Sequence, residues 1–579
     1  MTPNRPASWL VIIAALLQPV AFALEAPNAM KGSRDATDSR VAAAELALGA
    51  GNCREGAEAY QRVAARSRDL RLVRRATEVA VACDHLPAAW NASQRWAALD
   101  PENIDALRAN GMVAVQLYKV ADARRVFGAL LKKPDVEPDR ALQELLPNLS
   151  DGAKAHAAWA ALSNLVDPAA LQPSTGLALA ELAIAADDLT AARRIVEAVL
   201  QTETTAGALR QLARLLAAEG DTARALQTAR EAVTAAGDNP EHAFALAEVL
   251  IDLDRNEEAY RELLRAQEVP VTADEADRRL ALLAVATGDL DEARRRFAAR
   301  LQRGASSAES FFYLGVIAER TGQSELALQS YLRLAGAGAG LMPRARAGAL
   351  LIKLGRRDEA FELLDEFLRQ DPQGAIDVAI ARAELLLAAD AGDAAVEELQ
   401  RALQAYPGHP QLEYQLAMVF ERSGRHAESI RSFEQFLKQR PDDPTALNAL
   451  GYTLADNGKE LPRAERLVRQ ALEAMPDNAA AIDSLAWILY RRGDAPAALP
   501  LLERAYALSR DAEIAAHWGE VLWVLGEQGQ ARTVWARALA RAPDSEPLKT
   551  VIARFAAAAP DSASPDSTSP APTAEPTAL

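Results

Sequence analysis

The sequence predicts an all-α solenoid, a superhelical stack of about fifteen helix pairs. A small residue recurs every 33 to 35 residues in ten registered copies: Ala225, Ala259, Ala293, Ala327, Ala360, Ala395, Ser429, Ala464, Ala498 and Ala531. Glycine, proline and further alanines keep fixed offsets from this position. Aromatic residues make up only 5% of the chain, and no segment alternates β-branched with polar residues as a strand would.

The neighbours of the repeated alanine explain how each helix pair forms. Around Ala531, Gly519 lies twelve residues before, Gly526 five before and Pro543 twelve after. Glycine permits the left-handed turn that ends a helix, and proline is tolerated where a helix begins. Small side chains are needed where the two helices cross closely. A period near 34 with these companions is the signature of the tetratricopeptide repeat.

The same spacing continues toward the N terminus with lower fidelity. Equivalents of the repeated alanine there are Ala191 or Ala192, Ala157, Ala123 and Ala89. We therefore predict a solenoid over residues 40–543, followed by a capping helix over residues 544–558. Residues 138–167 and 171–204 match the repeat least well. Because each unit buries its face against its neighbours, the stability of the solenoid is expected to be close to a sum of nearest-neighbour terms.

Residues 1–23 have the pattern of an export signal. Arg5 supplies a basic start, Trp9–Leu17 is continuously apolar, and Ala21–Ala23 fits the small-x-small cleavage pattern. An uncleaved anchor is the alternative, although the apolar run is short for a membrane span. No cysteine stands immediately after the cleavage site, where Leu24 is found, so a lipid anchor is not expected. The mature chain is predicted to be periplasmic and to lack an integral membrane segment.

Residues 24–39 and 559–579 are predicted to lie outside the solenoid. The first segment is a polar, flexible linker, and the second is a tail rich in Pro, Ser and Ala. Such compositions bury too little apolar surface to offset the entropy of ordering, so the tail is expected to be disordered. The formal net charge of −16 argues against a nucleic-acid partner, for which a basic stripe is expected.

Cys53 and Cys83 are the only two cysteines. In the repeat register, Cys53 begins the second helix of the first pair, and Cys83 ends the first helix of the next pair. Antiparallel packing brings these two points together, so a disulfide is predicted in an oxidising compartment; two free thiols are the alternative. The spacing excludes a CxxC redox motif. The nearby His85 is expected to be only a solvated loop residue.

The sequence contains no recognisable catalytic or cofactor-binding pattern. None of its six histidines forms an HExxH or HxH arrangement, and neither a GxSxG elbow nor a GxxxxGK loop is present. Acidic pairs such as Glu257-Glu258 fit solvated helix faces. We therefore predict that the chain is not an enzyme and that it has no metal site and no cofactor.

The concave groove of such a solenoid is lined by the first helix of each pair, which makes it the candidate binding surface. In the C-terminal third, the groove positions around Ala417, Gly451, Ala486 and Gly519 are rich in aromatic and acidic residues. The candidate protein-binding residues are Tyr414, Tyr452, Asp483, Trp487, Tyr490, Glu520 and Trp523. Aromatic rings provide large contact areas at low entropic cost. The alternative is that several of these rings pack between helices.

Three C-terminal segments are more specific than a general repeat. Leu450–Asp456 reads LGYTLAD, Asp483–Tyr490 reads DSLAWILY, and Ala515–Trp523 reads AAHWGEVLW. They resemble the C-terminal repeats of a proteobacterial family of exported tetratricopeptide proteins, and Trp96–Pro101 extends the likeness toward the N terminus. That family includes the outer-membrane lipoprotein adaptor of a periplasmic carboxyl-terminal processing protease. The likeness is strongest over residues 445–541.

The resemblance implies a non-catalytic scaffold. Its partners would be a processing protease and the substrates of that protease, among them enzymes that cut peptidoglycan cross-links. The sequence departs from the family in having no lipid-accepting cysteine after the signal, which puts outer-membrane anchoring in doubt. A scaffold for envelope assembly or exopolysaccharide export is the alternative function.

Overall fold

The computed structural model describes residues 36–50, 52–150, 153–237, 239, 242–304, 307–336, 340–458, 460–542 and 545–557. Over these residues the chain forms 31 α-helices and three short 3-10 turns, and it contains no strand. The predicted signal peptide, the predicted tail and residues 24–35 of the predicted linker lie outside this range. The all-α solenoid predicted from the sequence is confirmed.

The helices follow one another in antiparallel pairs. The first ten are α1 (Ala36–Gly49), α2 (Cys53–Ala64), α3 (Leu70–Ala82), α4 (Leu86–Leu99), α5 (Ile104–Gln116), α6 (Val120–Leu131), α7 (Pro138–Leu145), α8 (Ala153–Leu162), α9 (Pro173–Ala185) and α10 (Leu189–Thr202). The next ten are α11 (Ala206–Ala218), α12 (Thr222–Ala236), α13 (Ala245–Asp252), α14 (Asn256–Gln267), α15 (Ala273–Thr287), α16 (Leu290–Gln302), α17 (Ser307–Arg320), α18 (Ser324–Gly336), α19 (Leu341–Lys353) and α20 (Arg357–Gln370). The last eleven are α21 (Ala375–Ala388), α22 (Gly392–Ala405), α23 (Pro410–Arg422), α24 (His426–Gln439), α25 (Pro444–Asp456), α26 (Leu461–Ala474), α27 (Ala479–Arg491), α28 (Ala495–Leu508), α29 (Ala512–Val524), α30 (Gln528–Arg541) and α31 (Glu546–Ala557).

The ten registered small residues explain the regular part of this stack. Each lies on the second helix of a pair, from Ala225 on α12 to Ala531 on α30. All ten, including Ser429, have a relative exposure of 0%. A larger side chain at this position would separate the second helix from the first helix it crosses. The repeat period therefore reports the position of closest helix packing.

The boundaries of the solenoid differ slightly from the predicted ones. Helix α1 begins at Ala36, so the first pair starts inside the segment predicted as linker. At the other end, α31 covers Glu546–Ala557, close to the predicted capping helix. An irregular pair lies at residues 138–167, as the weak repeat match indicated, whereas residues 171–204 form the regular helices α9 and α10. There α7 has only eight residues and is followed by a 3-10 turn at Leu146–Asn148.

The core is a series of apolar clusters between neighbouring helices, as nearest-neighbour packing requires. The largest cluster extends from Leu107 on α5 to Leu283 on α15. The superhelix also brings distant repeats together, which the repeat pattern did not predict. Asp84 contacts His409, and Asp187 contacts Asn478. The expectation that units meet only their neighbours is therefore incomplete for this chain.

Candidate protein-binding surface

The predicted binding residues lie on four consecutive first helices. Tyr414 is on α23 and Tyr452 on α25, whereas the remaining five lie on α27 and α29. The Tyr452 hydroxyl donates a hydrogen bond of 3.0 Å to Oε1 of Glu513 at the start of α29. This bond passes from one helix pair to the second pair beyond it. The first helices therefore curve around a common inner face, which is the concave groove expected from the sequence.

A buried ion pair occupies the centre of this face. Asp483 on α27 is 6% exposed and His517 on α29 is 7% exposed. Nδ1 of His517 lies 3.0 Å from each carboxylate oxygen of Asp483. Burial disfavours the charged imidazole, but the Asp483 carboxylate outweighs this effect, and the pKa of His517 is raised to about 9. His517 is therefore an imidazolium at neutral pH.

Trp487 covers this ion pair. Its ring stacks on the imidazole of His517 with the centroids 4.1 Å apart. The guanidinium of Arg491 lies 5.8 Å from the Trp487 ring centroid. Trp487 is only 8% exposed, so its ring is mainly a packing element between α27 and α29.

Glu520 forms a second polar cluster on the same face. It is 5% exposed and accepts a hydrogen bond of 3.0 Å from the hydroxyl of Tyr490. Arg554 of the capping helix α31 forms an ion pair with the other carboxylate oxygen. Burial, and then the negative charge of Glu520, raise the pKa of Tyr490 to about 12. The cluster ties α27, α29 and α31 together.

Contacts between aromatic rings lie at both ends of the predicted surface. Trp523 packs against Trp535 and Phe555, with ring centroids 5.7 and 5.6 Å apart. At the other end, Tyr414 meets Phe433 edge-on at 5.6 Å, and burial raises the pKa of the Tyr414 hydroxyl. Each of these rings has one side in the core of the solenoid. The predicted binding residues are thus also structural.

The seven predicted residues divide into two groups. Asp483, Trp487 and Glu520 are buried, which corrects the expectation that they line an open groove and favours the alternative of packing between helices. The partly exposed residues are Tyr414, Tyr452, Tyr490 and Trp523. Their role in binding stays a prediction.

The sequence analysis missed the polar partners of these residues. His517, Glu513 and Arg554 complete the clusters, but none was singled out as a binding or packing residue. One signal was available for His517, since it follows Asp483 by 34 residues, which is one repeat. Side chains one repeat apart on first helices are neighbours, so the spacing itself predicts such a pair.

Two buried polar atoms of the inner face have no hydrogen-bond partner among the described residues. They are Oδ1 of Asn448 on α25 and Nε1 of Trp487 on α27. An unpaired buried donor or acceptor is costly. A carbonyl acceptor and an indole donor on adjacent first helices match the two hydrogen-bonding groups of a peptide backbone.

The disulfide prediction concerns the opposite end of the molecule. Cys53 is the first residue of α2, and Cys83 directly follows α3. A disulfide joins them, with their Cα atoms 5.4 Å apart. His85 differs from expectation, because it is 5% exposed and its Nδ1 accepts the backbone N–H of Ala88 at the start of α4. It is a helix cap and not a solvated loop residue.

Two further features concern the described residues only. No helix among them has the length and apolar character that a membrane span requires. Within the same ranges, no three His, Cys, Asp or Glu side chains come together in a way that would hold a metal ion.

A family model of the tetratricopeptide repeat matches residues 278–341 and 414–479. The chain is also 35% identical over 210 residues to the TPR repeat-containing protein PA4667 of Pseudomonas aeruginosa. That match covers 36% of this chain and 35% of the relative. The chain thus spans about a third of the length of the curated relative that it matches.

Solved structures with similar helix arrangements include yeast Tom70, at 15% identity and a TM-score of 0.37, covering 90% of this chain and 95% of that chain. Another is TTC0263, a tetratricopeptide protein of Thermus thermophilus, at 23% identity and a TM-score of 0.28, covering 31% and 96%. With TM-scores below 0.5, these likenesses carry no weight for fold or function. The buried alanine register, the antiparallel pairs and the matched segments show that the chain has the tetratricopeptide-repeat fold.

Proposed function

We propose that the chain is a non-catalytic scaffold that binds a protein partner on the inner face of its C-terminal repeats. The observation that carries this proposal is the row of partly exposed aromatic side chains on α23, α25, α27 and α29: Tyr414, Tyr452, Tyr490 and Trp523. Aromatic residues that are already held by packing lose little entropy on binding, and such residues dominate binding energies at interfaces.

The unpaired atoms on this face support an extended polypeptide as the ligand. Trp487 Nε1 is a donor and Asn448 Oδ1 an acceptor, and both lack partners among the residues described. Both atoms are buried in the free chain, so both side chains must turn outward when a peptide backbone binds them. The partly exposed Glu513 adds negative charge to the same face, which favours a partner with basic side chains.

We further propose that the partner is a carboxyl-terminal processing protease and that the scaffold presents substrates of cell-envelope turnover to it. The resemblance of residues 445–541 to the family of exported adaptors supports this partner. A periplasmic location is part of the proposal. Its support is the signal pattern of residues 1–23 and the Cys53–Cys83 disulfide, which suits an oxidising compartment.

The experiment is a binding titration of the mature chain with the purified processing protease of the same genome. Tyr490→Ala and Trp523→Ala should each weaken binding by tens of fold, since losing an aromatic anchor costs about 2 kcal/mol or more. Tyr506→Ala is the matched control, because Tyr506 is a partly buried tyrosine of the same repeats on the second helix α28. It should bind as the unchanged protein does.

Two results would reject parts of the proposal. Absence of binding to the protease, with a different envelope protein bound in the same Tyr490-dependent way, would reject the protease and keep the surface. Normal binding by both Tyr490→Ala and Trp523→Ala would reject the surface. Intact-mass measurement of the chain recovered from the host tests the location, since removal of residues 1–23 is expected and a retained Met1 would contradict export.

A further inference from the structure

The turns between paired helices contain an irregularity that the repeat does not require. Each such turn needs one residue in the left-handed region, where glycine is favoured. Glycine occupies it in eight turns: Gly220, Gly288, Gly322, Gly355, Gly424, Gly458, Gly493 and Gly526. In five others, the left-handed residue is Asp84, Tyr118, Asp187, Asp254 or Asp390, with φ between 49° and 62°. A residue other than glycine is strained in this conformation, so the presence of aspartate or tyrosine in these five turns needs an explanation.

Asp84 supplies the first reason. Its carboxylate lies 3.1 Å from Nε2 of His409, more than 300 residues away in the sequence. Beside this contact, Gly408 approaches Pro87, and Arg54 donates a hydrogen bond to the carbonyl of Gln404. The turn between α3 and α4 therefore lies against the start of α23.

Asp187 repeats this arrangement further along the chain, whereas the side chain of Tyr118 is buried in the apolar cluster that extends from α5 to α15. Asp187 accepts a hydrogen bond of 2.8 Å from the side chain of Asn478 at the start of α27. Its carbonyl accepts the backbone N–H of Asp477 at 2.8 Å.

Asp254 makes the last of these contacts. Its carboxylate lies 3.2 Å from Nη1 of Arg510 and 2.6 Å from Nη2 of Arg541. Arg510 also donates to the carbonyl of Asp252 at 3.1 Å. Here the turn between α13 and α14 meets the turn before α29. The fifth residue, Asp390, is exposed and makes no such contact among the described residues.

These three contacts form one line, which we call the seam. Its N-terminal side consists of the left-handed residues Asp84, Asp187 and Asp254, and its C-terminal side of His409, Asp477, Asn478, Arg510 and Arg541. Along the seam, loops that join the two helices of a pair in the first half of the chain contact loops that connect one pair to the next in the second half. One revolution of the superhelix is thus in contact with the following revolution.

Hydrogen bonds and ion pairs between polar groups join the two sides of the seam. None of the buried apolar clusters formed by the described residues includes residues from both of its sides. The paired polar side chains are partly exposed, with Asp84 and Asp254 46% and 43% exposed. Such pairs contribute little and are screened by salt. The seam can therefore open without disrupting a hydrophobic core.

The position of the seam connects it with the inner face. His409 precedes α23, Asn478 precedes α27 and Arg510 precedes α29. These are three of the four first helices that carry the partly exposed aromatic row. The seam thus holds the N-terminal ends of the same helices against the first half of the molecule.

We propose that the seam is a releasable latch. The two halves part along it while every helix pair stays folded, and parting changes access to the inner face of α23, α25, α27 and α29. The strained residues Asp84, Asp187 and Asp254 are retained because their side chains close the latch. The latch itself does not depend on the identity of the partner or on the proposed function.

The test measures the distance between the two halves in the full mature chain with its native disulfide. Spin labels are attached at Arg194→Cys on α10 and Glu503→Cys on α28, both exposed positions outside the seam. Double electron–electron resonance then gives the distance distribution. The variant pair Asp84→Asn and Asp254→Asn removes two charges while asparagine keeps the left-handed turn accessible. Asp390→Asn is the matched control, with the same backbone conformation and no seam contact.

We expect a single short distance at low salt and, in the double variant, an increase of the longer-distance population on the order of tenfold. High salt should also increase the longer-distance population of the protein without the two substitutions. Circular dichroism should stay constant, which separates parting from unfolding. An unchanged distribution in the double variant and in high salt would overturn the latch. The same change in Asp390→Asn, or a loss of helicity together with the longer distance, would also overturn it.

Discussion

The two ends of the solenoid close their cores by different means. At the N-terminal end, the Cys53–Cys83 disulfide links α2 to the end of α3. At the C-terminal end, the extra helix α31 places Phe555 on Trp523 and Trp535 and pairs Arg554 with Glu520. A terminal repeat lacks one neighbour and needs a replacement for the missing contacts. One end replaces them with a covalent bond and the other with a helix, aromatic rings and charges.

This difference has consequences for how each end responds to change. A disulfide stabilises a protein largely by restricting the unfolded chain, so its removal should destabilise the helices that lie around the bond. The C-terminal end depends on packing and on a buried ion pair, so it should respond to volume changes and to pH. The two ends should therefore unfold independently and under different conditions.

Removing the disulfide should have the largest effect. The bond closes a loop of 30 residues, for which the chain-entropy model gives roughly 3–4 kcal/mol. Cys53→Ser combined with Cys83→Ser should thus lower the free energy of unfolding of α1–α4 by about this amount. Hydrogen exchange followed by mass spectrometry measures it helix by helix. Protection from exchange in α27–α31 should stay unchanged. An equal loss of protection at both ends would contradict the expectation that the two ends unfold independently.

Raising the pH should weaken the C-terminal end only. The folded pKa of His517 is about 9 and its ordinary value is 6.5, so the folded state holds the proton more tightly. The stabilisation is complete below about pH 6.5 and is lost as the pH rises through 9, by on the order of 3 kcal/mol. Urea unfolding of the C-terminal repeats between pH 6 and pH 10, followed by tryptophan fluorescence, measures it. His517→Gln should remove most of this dependence of stability on pH. If the dependence persists in the variant, it arises from other titratable groups.

A single methyl group should also distinguish the two ends. A Cβ atom at Gly519 would collide with the indole of Trp535, whereas one at Gly56 would meet the side chain of Leu48. The indole is held by stacking on Trp523 and Phe555, but the partly exposed Leu48 can change rotamer. Gly519→Ala should cost about 2 kcal/mol and Gly56→Ala clearly less, measured by urea unfolding. Equal costs would show that the C-terminal packing is no stiffer.

The period of the sequence predicted the regular parts of this structure because they depend on local rules. Each registered alanine is buried against the helix it crosses, and this requirement repeats with the helix pair. Cys53 and Cys83 could be brought together for the same reason, since they lie in adjacent helices. The Asp483–His517 pair also follows the repeat, with a separation of 34 residues.

The seam and the burial of the inner face could not be predicted in this way. Asp84 and His409 meet only because small rotations between repeats accumulate over many units, and the sequence period does not give those rotations. Burial of Trp487 depends on the side chain of His517 and on the tight curvature at α25 to α29. A groove position in the register specifies which way a side chain points, not how much of it stays exposed.

The smallest expected effect compares two left-handed aspartates. Replacing Asp390 by glycine relieves the strained backbone, at φ 53°, and should stabilise its repeat by about 0.5–1 kcal/mol once the greater freedom of the unfolded chain is subtracted. Asp84 has the same conformation, at φ 49°, but it also contacts His409. Asp84→Gly should therefore bring no gain, because the relief of strain is offset by the lost contact. Urea unfolding of the two variants measures the difference. Equal stabilisation by both would mean that the Asp84–His409 contact contributes nothing to stability. Asp84 would then have no structural role that the exposed Asp390 lacks.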